Sequence, residues 1–515
     1  KGAITVDAGA TLTVQNGGYT LQANSTLTNN GTITGPSTLR MKGSSLINNN
    51  LISCSGLTLD STINISGAGS FTSNLITLGA SGNVTLGSNV TFTPSGNLTA
   101  LNGSTLNPNT FTFTAAGNLY FNSGSTVSNS GIFRTQGSTN LICKAGSNFN
   151  APLKIITGTT SVYDDGSPFI GVLNGTVTVD AGAVMSCQNG GYTIRANNNV
   201  VNNGTILSPG SPAFRMYGTN FTNNGSINFS NFYFETGAHA LSGTGTWLTN
   251  ATVLTGSTVT LGSNHKMASV TVSAGGTFNV FTYMLSLSSS NPISNSGTFN
   301  TTTGTVEYNG TSAQSISTTN LTYNKLRINN SAGTSLLNAT TVNDSLSVVL
   351  GDLNLNGFIL TLAPTGYLTE TAGNTINGST GYITTTRSIN APSALNVGGL
   401  GAVLTTAVNL GSTEIRRGHT VQNGLSGNTS ITRYFDITPT TNTGLNATLV
   451  FRYDDSELNG KVESALSLFR STNSGSSWTS NGGTVNTSAN SITLSGISAY
   501  SRWSASSTSA VASQI

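Results

Sequence analysis

The chain is short of charge. Only 35 of its 515 residues are Asp, Glu, Lys or Arg, or 7%, where an ordinary soluble domain carries about 25%. The 19 basic residues leave a net charge of +3 and are scattered. No Lys/Arg patch with interleaved aromatics exists, so nucleic acid is not an expected partner. The three histidines, His239, His265 and His419, stand apart in sequence and offer no metal-ligand spacing. Three cysteines, Cys54, Cys143 and Cys187, are odd in number and far apart, with no CxxC among them, which argues against a disulfide framework or a zinc site. No run of about 18 apolar residues is present, so no membrane-spanning helix is expected. Sustained helical periodicity is missing too. The one arguable stretch, Ser456–Phe469, is cut by Asn459-Gly460.

Small polar residues take the place of charge. Such a composition can mean disorder, but disordered chains are poor in β-branched and aromatic residues. Here Val, Ile, Leu, Thr, Phe and Tyr alternate with polar residues throughout. TVTVDAG, FTFTAAG and STVTLGS are period-two runs closed by Gly, Asn or Ser, the pattern of short strands between turns.

The sequence also repeats itself. ITVDAGATLTVQNGGYTLQANSTLTNNGTI, Ile4–Ile33, returns as VTVDAGAVMSCQNGGYTIRANNNVVNNGTI, Val177–Ile206, 173 residues on. After a two-residue insertion the match resumes 175 residues on: Arg40-Met41 corresponds to Arg215-Met216, and VTLGSN at Val84–Asn89 to VTLGSN at Val259–Asn264. Self-similarity on this scale marks a solenoid. Apolar runs every 18 to 22 residues fit the coil of a parallel β-helix, at roughly nine coils per block. Its backbone groups pair with the coils above and below, so few charges are needed. LTNNGTI, LINNNLI, VVNNGTI and FTNNGSI predict stacked asparagines at one corner. Cys187 corresponds to Val14 and Cys54 to Phe229; positions that accept Val or Phe face the core, so these thiols are expected to be buried fillers.

Residues 1–171 form block one and 172–345 block two, with Val162–Phe169 read as a turn at their junction. Final β-helix coils are expected over 346–386. The first 386 residues read as one continuous β-helix with equal positions on equivalent coils. Residues 387–503 hold 14 of the 35 charges and two of the three tryptophans, Trp478 and Trp503. They predict an antiparallel β-sandwich, 387–505, before a flexible Ser/Ala tail, 506–515. The fold class is thus all-β: a parallel β-helix followed by a small sandwich.

Two stretches carry a resemblance. TGTVEYNGTSAQSIS … LTYNKLRINNSAGTSLLNATTVNDSLSVVLGDLNLNGFILTLA, about residues 303–363, resembles a repeat common in secreted proteins of Bacteroidetes. ITRYFDITPT … GLNATLVFRYDDSELNG … SLFRSTNSGSSWTS … SITLSGISAYSRW resembles the small sandwich that follows such repeats in type IX-secreted surface proteins. The resemblance implies an extracellular, cell-surface location. It also implies O-glycosylation at Asp-Ser/Thr-apolar sites, here Asp344-Ser345-Leu346 and Asp60-Ser61-Thr62, which makes Ser345 and Ser61 candidates; a plain turn aspartate is the alternative. No leader peptide is visible, and the expectation is that one was removed or lies outside this numbering.

Parallel β-helices are often polysaccharide lyases or hydrolases, which need clustered carboxylates in a cleft. Residues 1–386 contain ten acids, and only Asp164 and Asp165 adjoin; Gly166 follows, which favours a turn. Asp7 and Asp180 are repeat equivalents in TVDAG and read as turn residues. The preferred reading is therefore a non-enzymatic surface stalk or fibre subunit, with no cofactor. Surface glycans remain a partner to be weighed. The alternative is a polysaccharide-binding or polysaccharide-degrading protein. An enzyme should show a unique acidic or aromatic cleft in one block that its duplicate lacks; exposed aromatic rows, with Tyr19 and Tyr192 as repeat equivalents, would instead favour sugar binding. Head-to-tail self-association is expected because the first coil starts without a polar cap; its contact residues would be Ile4, Val6, Leu12 and Val14.

Overall fold

A computed structural model describes residues 2–507 other than 16, 36, 93–96, 129–130, 145, 164–169, 189–192, 211–212, 318 and 320. Asp164, Asp165, Tyr192, most of the expected junction turn and most of the tail lie outside the described residues. The chain divides into two compact units, Lys1–Phe278 and Asn279–Ile515.

Residues 2–278 wind as a parallel β-solenoid with three strands per coil. Strands pair in parallel with their counterparts one coil on, with a register shift between Trp247 and Asn250, so each coil's edge satisfies the next,. The first face stacks Ile4–Val6, Leu27–Asn29 and Ser45–Asn48 and continues to Ile170–Leu173 and Thr193–Ala196. The second begins Thr11–Thr13, Thr32–Thr34 and reaches Val177–Val179 and Val200–Asn202. The third begins Thr20–Ala23, Thr38–Met41 and reaches Val184–Cys187 and Thr205–Leu207. Alternation sends every second side chain inward. Phe71, Phe92, Phe113 and Phe133 stack along the second face at centroid separations of 5.0, 5.3 and 4.9 Å.

The duplicate blocks do not occupy the same faces. Ile4–Val6 lies on the first face, whereas its equivalent Val177–Val179 lies on the second. Thr20–Ala23 lies on the third, and its equivalent Thr193–Ala196 on the first. Eight coil steps run from Ile4–Val6 to Ile170–Leu173 on the first face, and Val177–Val179 is one face further. The 173-residue spacing is thus eight and a third coils, about 21 residues each. Equal positions share strand course but are turned one face round. One expectation is corrected: equivalent positions do not lie on equivalent coils. The reason is that coil length varies at the corners, so a sequence period need not be a whole number of turns.

The asparagine corner follows the same rule. In block one Asn29 Nδ2 donates to Asn48 Oδ1 at 2.8 Å and to the Leu51 carbonyl at 3.0 Å. In block two Asn202 Nδ2 donates to Asn223 Oδ1 at 2.8 Å and to the Ser226 carbonyl at 3.1 Å. All four side chains are fully buried. The expected single ladder is two ladders on two different corners. The glycine of NNG has a steric reason: a Cβ on Gly31 would lie 2.2 Å from the Ala10 carbonyl oxygen, and one on Gly204 2.2 Å from that of Ala183.

Residues 279–507 begin with parallel rungs as well. Met284–Leu287, Thr305–Tyr308, Tyr323–Asn329, Thr340–Leu350 and Tyr367–Glu370 form one ladder. Gln314–Ile316, Thr334–Leu336, Leu353–Asn354 and Ile376–Asn377 form another. Tyr382–Asn390 pairs in parallel with Ile359–Leu362 and antiparallel with Asn409–Gly418. The boundary expected at 386/387 thus falls inside a strand shared by both architectures. Beyond it, Tyr434–Pro439, Arg502–Ser507 and Leu466–Ser471 extend one antiparallel sheet. Ala402–Thr405, Ala447–Arg452 and Ser491–Ile497 belong to a second. Phe435 of the first meets Phe451 of the second at 4.9 Å, edge to face.

Candidate functional site

The densest polar cluster lies in 279–507, where the last parallel rungs meet the antiparallel sheets. Glu370 ends the rung Tyr367–Glu370. Arg417 and His419 come from the end of Asn409–Gly418, Arg433 from the entry to Tyr434–Pro439, and Glu457 from the short 3-10 turn Asp455–Glu457. Arg417 is fully buried. Its guanidinium donates to both Glu370 oxygens, at 2.8 and 2.5 Å, and to Thr375 Oγ1 at 3.0 Å. Glu370 also accepts from the Ile376 backbone N–H at 2.9 Å. Arg433 Nε lies 3.0 and 2.8 Å from the two Glu457 oxygens. Glu457 in turn accepts from the Asp454 N–H at 2.8 Å, completing a capping box,.

His419 joins the two pairs. Arg417 Nε donates to its Nε2 at 3.3 Å, and its Nδ1 lies 2.9 Å from Glu457. The ring must accept at Nε2 and donate at Nδ1, so it is neutral with the proton on Nδ1. Burial first, then Arg417 and Arg433, hold its pKa down to about 4 despite the Glu457 contact. Burial opposes ionisation of both carboxylates, but the arginines outweigh it: Arg417 holds Glu370 well below the usual carboxylate range, and Arg433 with His419 brings Glu457 to about 2. Two positive and two negative groups balance around a neutral imidazole. Their donors and acceptors are turned on one another, the arrangement of a clamp between architectures. Open clefts of about 650 and 690 Å³ flank it; Tyr367, Arg452 and Asn490 line the first, Asn377, Thr420 and Thr432 the second.

In the sequence His419 stands apart from the other histidines, and the arginines show only as composition. The cluster joins residues up to 87 positions apart, Glu370 to Glu457, and the only signal was the rise in charge after residue 387.

The residues singled out from sequence lie elsewhere. Cys54, Cys143 and Cys187 are buried free thiols. Burial raises all three pKa values, that of Cys143 to about 12. Maleimide labelling of the native chain should therefore leave Cys143 and Cys187 unmodified until denaturant is added; rapid native labelling of either would contradict their placement. His239 and His265 are buried too, and bond backbone carbonyls: His239 at 2.8 and 2.7 Å, His265 at 3.1 Å. Among the described residues no group of His, Cys, Asp and Glu could hold a metal ion. The Asp180 carboxylate reaches Lys154 at 3.2 Å rather than its own turn. Tyr19 is exposed. Ser61 is half-buried and donates to the Gly43 carbonyl at 2.9 Å; Ser345 is half-buried beside the exposed Asp344. Val6 is buried, whereas Ile4, Leu12 and Val14 are half-exposed. Their equivalents Val177, Met185 and Cys187 are fully buried, because Leu153, Thr160 and Val162 of the preceding coil pair with them.

The class is a parallel β-solenoid with antiparallel sheets at its C-terminal side. No known family matches the chain, and no curated protein or solved structure does. No helix among the described residues is long and apolar enough to cross a membrane.

Proposed function

We propose that this protein is an extracellular structural element, a β-solenoid stalk or fibre subunit that acts by holding surface groups in place and not by catalysis. One observation carries the reading. The second block repeats the core, the asparagine corner and the Gly31/Gly204 close approach of the first, so the duplication extends a scaffold. The Bacteroidetes-type repeat and sandwich motifs support a surface location. Scattered carboxylates support the absence of catalysis.

Self-association belongs to the same reading. Val177, Met185 and Cys187, the equivalents of Ile4, Leu12 and Val14, are buried where they pair with Leu153, Thr160 and Val162, and pairing of this kind with a neighbouring chain is the contact the reading calls for. A neighbouring chain docking there head to tail would extend a filament. Negative-stain images of the native protein should contain rods or fibres, and Leu12→Lys should shorten them. Compact particles, or fibres indifferent to that substitution, would overturn the reading. Glycan binding is a second reading, favoured by an Arg–Tyr strip found on one block only.

A further inference from the structure

The duplication supplies an internal control for the outward surface. In block two Arg195, Arg215 and Tyr233 stand side by side on successive rungs of one face. Tyr217 and Glu235 follow two positions along their strands. The Arg195 guanidinium lies over the Tyr217 ring at 4.4 Å and that of Arg215 over Tyr233 at 4.9 Å. Arg195 also donates to the Tyr217 hydroxyl at 3.1 Å, and Arg215 pairs with Glu235. The equivalent residues of block one are Gln22, Arg40, Lys42, Thr58 and Asp60. The ion pair is kept there, as Arg40 with Asp60. What differs is Gln22 for Arg195, Lys42 for Tyr217 and Thr58 for Tyr233. Block one therefore demonstrates that the fold does not need the two stacks.

A guanidinium stacked on an aromatic ring is held flat with its donor fork displayed, the geometry that suits a carboxylate. Among the described residues Arg195 is in no ion pair; its Nε is buried without a hydrogen-bond partner, so its charge is offered through the terminal nitrogens. The strip thus carries an uncompensated positive charge on a chain with few charges. Thr252 and Thr271 continue the row beyond Tyr233. Rungs lie about 4.8 Å apart, a step comparable with one unit of an extended sugar chain. A flat, hydroxyl-lined row without an apolar pocket suits a hydrated polymer better than a folded partner.

We propose that the strip Arg195–Tyr217–Arg215–Tyr233 binds an extended acidic polysaccharide, with Arg195 meeting its carboxylates and the tyrosine hydroxyls and the Arg215–Glu235 pair meeting its hydroxyls. The proposal deepens the surface-scaffold reading by giving it a ligand class. Because the blocks are turned one face round, the strip points from a different face than its block-one counterpart.

The test is affinity electrophoresis of the full chain in gels containing polygalacturonate, neutral mannan or poly-glutamate. Retardation is expected with polygalacturonate alone, and it should weaken as salt is raised. The triple variant Arg195→Gln, Tyr217→Lys, Tyr233→Thr installs residues that block one already accommodates, so it should fold and bind more than tenfold more weakly. The reciprocal variant Gln22→Arg, Lys42→Tyr, Thr58→Tyr should raise the number of polymer sites per chain from one to two. No retardation of the natural chain, equal retardation by mannan or poly-glutamate, an unaffected triple variant, or a reciprocal variant still at one site would each overturn the proposal. None of these outcomes bears on whether negative stain shows rods, so the scaffold reading fails or stands separately.

Discussion

Replacing Arg417 by Met should destabilise the 279–515 unit by about 3–5 kcal/mol and leave the unfolding of residues 1–278 where it was. The substitution removes a fully buried cation and strands Glu370 among groups that assume its ionised form. It also removes the shorter of two donors to Thr375 Oγ1, leaving Arg433, and the donor to His419 Nε2. Glu370 has one side facing the cleft, with 18% of its side chain exposed, so some of the loss can be relieved by water. That places the expectation nearer the lower end of the range. Urea unfolding read by fluorescence separates the units if Trp247 is first changed to Phe, since Trp478 and Trp503 then report on the second unit alone. Replacing both partners, Arg417→Met with Glu370→Leu, should recover most of the loss, because neither charge is then left buried without the other. A loss below about 1 kcal/mol for the single variant would mean that the pair is not the clamp its geometry describes.

Acid should weaken the same unit in two stages. The His419 pKa is lowered in the fold, from 6.5 to about 4. Between these values the unfolded chain takes up a proton that the folded chain refuses, so stability is complete above pH 6.5 and falls as the pH drops toward 4. The difference corresponds to about 3 kcal/mol. Glu457 and Glu370 are also depressed, from 4.5, with Glu457 at about 2. Their contribution is present above pH 4.5 and is lost as the pH falls toward 2 and below. Stability of the second unit, measured by urea titration at a series of pH values, should therefore decline from near pH 6.5 and then more steeply below 4.5. His419→Gln separates the stages. A glutamine can accept from Arg417 and donate to Glu457 but does not titrate, so it should flatten the 6.5-to-4 limb and leave the lower one. A profile that keeps its upper limb in this variant would remove His419 from the account.

Much of the architecture was legible before any coordinates. Period-two runs closed by Gly and Asn specify short strands, since alternation is the geometry of the strand itself. The 173–175 residue shift specifies a repeating solenoid. The NNG motifs specify a stacked corner, because a buried amide can both donate and accept along a ladder and glycine clears the carbonyl of the neighbouring coil,. The exchange of Cys187 with Val14, and of Cys54 with Phe229, placed both thiols inward. All of these are local properties, or comparisons of one stretch with another.

Other features depend on how lengths accumulate in three dimensions. Whether a 173-residue period closes on the same face is decided by the sum of its corner loops. The answer, eight and a third coils, sends the two asparagine ladders to different corners and the Arg195 strip to a different face from Gln22. The ionic clamp is likewise tertiary. Glu370, Arg417, His419, Arg433 and Glu457 have no common spacing, and each looks ordinary in its own segment. Only the fold of Tyr382–Asn390, which ends one architecture and begins the other, brings two carboxylates, two guanidiniums and an imidazole out of water together. There the balance between desolvation and mutual attraction sets their charges.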